Sequence, residues 1–124
     1  MITGIGIDIV QIERMEHWLL NSRLLERFFH ADELAVVSQK EKNAAQSLAA
    51  RFAAKEAFGK ALGTGLANLE LKDIIVINND NGKPVIKLTG TALKAFNKSG
   101  ADNVHISLSH EKENAIAMIV LEGA

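Results

Sequence analysis

The sequence predicts an α+β fold in which a largely antiparallel sheet packs against a long central helix and shorter helices. Three observations carry this reading. The chain opens on an alternating segment, its middle is a long alanine-rich stretch, and its second half holds short β-branched or alternating runs divided by turn residues. Helices mostly early and hairpin strands mostly late make the chain α+β. With 124 residues, 48% of them hydrophobic, it is long enough for one domain, residues 1–124, with a real core, and too apolar for disorder. No linker, internal repeat or low-complexity tract interrupts it.

In order, Met1 to Val10 alternates. Ile5, Ile7 and Ile9 face one way and Gly4, Gly6 and Asp8 the other, which gives a strand with one apolar face. Helical spacing runs from about Ile12 to Leu20, breaks near Asn21 and Ser22, and resumes through Leu24, Leu25 and Phe28. Asp32 is placed to cap a short helix reaching about Gln39. The long helix spans about Glu41 to Leu62 and stops at Gly63-Thr64-Gly65, where glycines suit a terminating loop. Asp73 to Asn78 is β-branched, Asn79-Asp80-Asn81-Gly82 is a strong turn signal, and Pro84 to Leu88 returns as its partner. Thr89 to Lys98 has helical spacing and ends at Gly100. Val104 to Ser109 alternates, His110 to Asn114 turns, and Ala115 to Leu121 closes the sheet.

Composition narrows the function classes. Cysteine is absent, which removes disulfides, thiolate nucleophiles and cysteine-ligated metal sites and fits a reducing cytoplasm. No run approaches the roughly 18 apolar residues of a membrane span, and the N-terminus lacks the pattern of a signal peptide. A net charge of −1 provides no global field for nucleic acid. Any anion must be held by local basic groups.

The most informative segment is the long helix. Phe52, Phe58, Leu48 and Leu62 are distributed all round it, as in a buried helix, yet Arg51, Lys55, Glu56 and Lys60 interrupt it. Buried charge without a partner is costly. Either these groups satisfy one another or the helix holds a charged ligand. Glu56 and Lys60 stand at the spacing of an ordinary helix ion pair, worth about 0.2–0.5 kcal/mol. Asp8 adds a carboxylate in a strand, where aspartate is disfavoured, on the face it shares with Gly4 and Gly6. That face reads as open space beside the carboxylate. Asp8 is either an ion-pair partner of Arg14 or a lysine, or a metal ligand. With Glu56 it would suit magnesium, which keeps several waters and completes its shell with substrate phosphates. Lys60, one turn beyond Glu56 with Gly59 and Gly63 near that face, adds a cation for the same phosphates. Gly63-Thr64-Gly65 is not a P-loop, because it ends a helix and lacks the Gly-Lys-Ser/Thr ending.

His105, Ser107 and Ser109 line one face of a strand, suited to a phosphate or nucleoside or to plain solvation. His105 and His110 point to opposite faces, which argues against a joint histidine metal site. His17 and His30 read as surface or packing residues. No nucleophile-elbow sequence surrounds Ser107 or Ser109. Arg14, Arg23 and Arg27, interleaved with Trp18, Leu20, Leu24 and Phe28, fit either a protein interface or a core helix with solvated arginines.

Taken together, Gly4-Ile5-Gly6-Ile7-Asp8-Ile9-Val10 followed by Arg14, the run Arg51-Phe52-Ala53-Ala54-Lys55-Glu56-Ala57-Phe58-Gly59-Lys60-Ala61-Leu62-Gly63-Thr64-Gly65, then Gly82-Lys83-Pro84 and His105-Ile106-Ser107-Leu108-Ser109-His110 closely resemble the holo-acyl-carrier-protein synthases, the small bacterial type of phosphopantetheinyl transferase. The similarity runs in order along nearly the whole chain, and the first two motifs together are highly specific. Phe28-Phe29-His30-Ala31-Asp32-Glu33 is similar to the family's Phe-Thr-x-x-Glu segment, with histidine in place of threonine.

The resemblance implies a phosphopantetheinyl transferase-like fold and a reaction: the phosphopantetheine arm of coenzyme A moves to a serine of apo acyl carrier protein, the step that readies carriers for fatty acid biosynthesis. Adenosine 3′,5′-bisphosphate is the other product. By similarity, Asp8 and Glu56 would hold Mg2+ with the pyrophosphate, and Lys60 would neutralise it. Arg51 and His105 would serve the 3′-phosphate end, with Gly63, Gly65 and Pro84 near the nucleotide. Arg14, Arg23 and Arg27 would meet the acidic carrier protein. The family's small members are homotrimers with active sites between subunits. The base that deprotonates the carrier serine stays open between Glu56 itself and water on the magnesium. A magnesium-dependent hydrolase of nucleotide pyrophosphates would share Asp8, Glu56 and Lys60, and a non-catalytic partner-binding module would use only the arginines; neither accounts for all four motifs in one order.

Overall fold

A computed structural model describes residues 1–124. Strand β1 (Ile2–Gln11) leads into helices α1 (Ile12–Trp18), α2 (Ser22–Phe28) and α3 (Ala31–Ser38), then the long helix α4 (Ala44–Leu62). A hairpin of β2 (Ile74–Asn78) and β3 (Pro84–Leu88), helix α5 (Gly90–Ser99) and strands β4 (Asn103–His110) and β5 (Asn114–Glu122) complete the chain. Two sheets form, both antiparallel: a three-stranded one in the order β1-β5-β4, and the separate β2-β3 hairpin. The α+β class predicted from sequence is the observed one.

Helix α4 is the axis of the molecule. Its alanines and phenylalanines supply Ala45, Leu48, Ala49, Phe52, Ala53, Ala54, Ala57, Phe58 and Ala61 to the core, facing Ala115, Ala117, Ile119 and Leu121 of β5. Small residues on both sides let helix backbone and sheet approach closely. The limit is reached at β1, where a Cβ built on Gly4 would lie 2.0 Å from the Ala61 carbonyl oxygen and one on Gly6 2.0 Å from that of Ala57. The space beside Asp8 expected to be open is therefore filled by the backbone of α4. These glycines bring the strand carboxylate against the helix.

The apolar face of β1 points the other way. Ile5, Ile7 and Ile9 are 61%, 59% and 58% exposed, and they align across the register with Val120, Met118 and Ile116 and then with His105, Ser107 and Ser109. The sheet thus buries its small-residue face and leaves its isoleucine face uncovered within one chain.

Several boundaries differ from the sequence reading for identifiable reasons. Helix α3 is capped by His30, not by Asp32: the His30 Nδ1 accepts the Asp32 amide (3.0 Å) while Glu33 Oε1 accepts the His30 amide (3.0 Å), a capping box built on an imidazole. The segment from Glu41 begins as a 3₁₀ turn because Glu41 has φ +50°, so the α-helix starts at Ala44. Gly63 ends α4 with φ +83°, its amide bonded to the Lys60 carbonyl. In the hairpin turn, Asn79 Oδ1 accepts the amides of Asn81 and Lys83. Trp18 stacks on Phe28 (5.6 Å) and meets Phe52 edge-on (5.0 Å), which ties α1, α2 and α4 together.

Candidate active site

The four ionisable residues of α4 divide into two pairs on different faces. Glu56 and Lys60 turn toward β1. The Lys60 Nζ donates to Asp8 Oδ1 (3.0 Å) and to the Ile7 carbonyl (2.9 Å), so its partner is the strand carboxylate rather than Glu56 one turn earlier. Asp8 is the less exposed partner, its side chain 18% accessible against 53% for Lys60. Partial burial of Glu56 pushes its pKa up, and the charge of Asp8 pushes it further; Lys60 and Arg14 pull the other way. Asp8, Glu56, Lys60 and Arg14 are therefore one electrostatic cluster within one chain. The Arg14 guanidinium lies over the rings of Trp18 (5.4 Å) and Phe52 (5.2 Å).

The donor chemistry fits a hard divalent cation. Two carboxylates from different elements repel each other here, as the raised pKa of Glu56 records, and a cation between them would relieve that repulsion. No group of three or more histidine, aspartate or glutamate side chains is gathered for a metal. Such a cation would take most of its ligands from water and substrate oxygens, the habit of magnesium.

Arg51 and Lys55 turn away from this cluster toward the β2-β3 hairpin. Arg51 is 5% exposed. Its Nε donates to the Val76 carbonyl (3.1 Å), Nη1 to Ser47 Oγ (2.7 Å) and Nη2 to Asn78 Oδ1 (3.2 Å), and burial draws its pKa down. Asn78 holds the Gly82 carbonyl (2.9 Å) and pairs with Pro84 across the hairpin. Arg51, through Asn78, is thus joined to the Gly82-Lys83-Pro84 turn. Lys55 is fully buried and ion-paired to Glu33 at 2.7 Å. The sequence singles out Lys55 for its charge and Glu33 only as the end of the Phe-Thr-x-x-Glu-like segment, without joining the two. The available signal was Glu33 standing three residues after the residue that caps α3.

His105 is on the outer face of β4, bonded to Glu122 Oε1 (2.9 Å), and lies across the sheet from Asp8, which is on the inner face of β1. His110 instead reaches Gln46 of α4, as expected of a residue on the opposite face. Gly63 and Gly65 carry positive φ and would meet nothing within 4 Å if given a Cβ, so the loop beyond Lys60 is open. Arg23 and Arg27 are exposed on α2, with Arg27 over Phe28 (5.1 Å). Within one chain, then, Asp8, Glu56, Lys60 and Arg14 come together. His105 stands apart on the other sheet face, and Arg51 and Pro84 belong to the hairpin side.

Comparison with known proteins gives the family of the chain. The family model of the 4′-phosphopantetheinyl transferase superfamily matches residues 4–118. The holo-[acyl-carrier-protein] synthase of Treponema denticola is 57% identical over 123 residues, covering 99% of this chain and 100% of that protein. That of Trichlorobacter lovleyi is 49% identical over 125 residues, covering 98% of each. Among solved structures, a holo-(acyl-carrier-protein) synthase from Bacillus anthracis in complex with CoA (3′,5′-ADP) superposes with a TM-score of 0.82 at 39% identity, covering 100% of this chain and 99% of that one. The Neisseria meningitidis enzyme superposes with a TM-score of 0.88 at 34% identity, covering 98% and 99%. No helix here is long and apolar enough to cross a membrane.

Proposed function

The chain belongs to the 4′-phosphopantetheinyl transferase superfamily, within its holo-[acyl-carrier-protein] synthase group, and from that premise we propose that it transfers phosphopantetheine from coenzyme A to a serine of apo acyl carrier protein. Adenosine 3′,5′-bisphosphate is the leaving product. The observation that carries the reading is the meeting of Asp8, Glu56 and Lys60 across the β1-α4 contact.

Phosphoryl transfer asks mainly for positioning and charge neutralisation, not for a covalent nucleophile. Asp8 and Glu56 would hold Mg2+; when bound, the cation supplies positive charge at the pyrophosphate oxygens. Lys60, whose ammonium stands beside Asp8, would neutralise the same pyrophosphate. The proton of the carrier serine would pass to Glu56 itself or to water on the cation, both of which belong to this cluster. Arg14 reaches this cluster from α1 and, with Arg23 and Arg27, presents positive charge to an acidic carrier surface.

Arg51, Pro84 and His105 are assigned to the nucleotide end of coenzyme A, with Gly63 and Gly65 bordering it. Two features support a homotrimer with active sites shared between subunits. The row of Ile5, Ile7, Ile9 and Met118 leaves an apolar sheet face uncovered, and His105 lies on the opposite sheet face from Asp8, so one chain does not assemble both ends of the site. The absence of cysteine suits the cytoplasm where such carriers are made. The test is mass spectrometry of a purified apo carrier protein incubated with coenzyme A, magnesium and this chain. The expected result is a gain of one phosphopantetheine group; turnover of coenzyme A without carrier would instead indicate a hydrolase.

A further inference from the structure

Strand β2 pairs with β3 along one edge only. In an antiparallel pair, alternate residues turn their backbone groups outward, away from the partner. On β2 these are Ile74 and Val76, and no third strand covers them. Buried side chains do so instead. The Lys55 Nζ donates to the carbonyls of Leu71 (2.8 Å) and Ile74, the carboxylate of Glu33 accepts the Val76 amide on Oε2 (3.0 Å), and Arg51 Nε takes the Val76 carbonyl (3.1 Å). Glu33 Oε1 closes the set by accepting both Lys55 Nζ (2.7 Å) and the His30 amide (3.0 Å). Every buried side-chain nitrogen and oxygen in the molecule has a partner.

A buried ion pair is a poor way to gain stability, because well-packed apolar residues of the same volume commonly do as well or better. What this one provides is direction. It ties three elements, α3, α4 and β2, at defined atoms. Lys55 directly precedes Glu56, so the same contact that fixes the hairpin also fixes the rotation of α4 about its axis. That rotation decides whether Glu56 and Lys60 face Asp8. The hairpin tip carries Gly82-Lys83-Pro84, and the Asn78 to Gly82 bond transmits the register of β2 to it.

We propose that Glu33 and Lys55 are positioning residues: they act as a side-chain substitute for a missing strand and hold the hairpin tip in fixed relation to the Asp8, Glu56 and Lys60 cluster. This inference rests on the transferase reading, since it assigns the hairpin to the nucleotide end of coenzyme A. Neither residue touches substrate. Their loss loosens the grip on the nucleotide while leaving the carrier-facing arginines in place.

The test compares Lys55→Met and Glu33→Gln with the parent, using coenzyme A and 3′-dephospho-coenzyme A as donors and apo carrier protein as acceptor, well below each variant's melting temperature. The folded variants are expected to raise KM for coenzyme A by about tenfold with KM for carrier within about twofold, and to narrow the parent's preference for coenzyme A over the dephosphorylated donor. A purely structural pair would lower Tm and leave both KM values and the donor preference unchanged in the folded enzyme, which would overturn the proposal. An equal rise in both KM values would overturn it as well. Should Lys55→Met not fold, Glu33→Gln, which keeps the side-chain shape, decides; failure of both to fold would assign the pair to stability alone. An inactive parent would refute the transferase reading itself, an outcome distinct from all of these.

Discussion

Replacing Gly6 by alanine places a methyl carbon 2.0 Å from the Ala57 carbonyl oxygen and 2.8 Å from the Ala61 amide nitrogen. Carbon and oxygen in close non-bonded contact keep about 3.3 Å apart, so strand or helix must yield by more than about 1 Å. Both obstacles are backbone atoms of α4, which cannot be relieved by a rotamer change. Overpacking of this kind costs about 1–3 kcal/mol, occasionally more. A chain of this size loses about 4 °C of Tm per kcal/mol, which gives an expected fall of about 4–12 °C for Gly6→Ala. The functional effect is larger. A shift of about 1 Å between β1 and α4 moves Asp8 away from Glu56 and Lys60, and a misplacement of that size can reduce turnover about a hundredfold. Calorimetry and carrier-modification kinetics on the same preparation check both numbers. A Gly6→Ala protein with parental Tm and turnover would refute the claim that the bare strand brings the carboxylate to the helix.

Other consequences concern charge and surface. Glu56 has its pKa raised in the fold, by burial first and by Asp8 second. Between its unfolded and folded values the native state retains a proton that the unfolded chain has released, so stability falls as pH rises through that interval. Glu56→Gln is therefore expected to lose transfer activity by orders of magnitude yet gain Tm over the parent at pH 7, with the gain absent below the unfolded glutamate pKa of about 4.3; thermal melts across pH check the sign. Alanine at Arg14, Arg23 or Arg27 should raise KM for carrier more than for coenzyme A in steady-state assays, and added salt should weaken carrier binding in the parent. In the metal-free protein Arg14→Ala alone should also widen upward the pH interval over which stability falls in thermal melts, because Arg14 is one of the two charges opposing the rise of the Glu56 pKa. Ile7→Lys introduces charge into the uncovered apolar row, and sedimentation should find the parent as a trimer and this variant dissociated with little activity.

The alternation of β1 was legible, but not its pairing with β5 or which of its faces is buried. A period of two is symmetric, and the usual expectation that isoleucines face the core fails where a helix backbone, rather than side chains, covers the strand. The isoleucine face is instead left uncovered within the chain. The all-round apolar character of α4 and its glycine stop were equally legible, because both are local. The fates of its charges were not. Arg51 and Lys55 are four residues apart, as are Glu56 and Lys60, so spacing alone treats the two pairs alike, while the fold sends one to a hairpin and the other to β1. The pairing of Glu33 with Lys55 was not legible because the two lie 22 positions apart in sequence. His30 was passed over as a cap because imidazole is outside the usual set of capping side chains, and the start of α4 moved to Ala44 because a glutamate adopted a backbone conformation that sequence gives little reason to expect at residue 41.

The most direct test of the central claim is an anomalous-diffraction map from crystals grown with coenzyme A and Mn2+ as a stand-in for magnesium. One peak is expected within about 2.0–2.2 Å of an oxygen of Asp8, of Glu56 and of the coenzyme A pyrophosphate. Bound coenzyme A whose pyrophosphate carries no metal shared with these two carboxylates would contradict it.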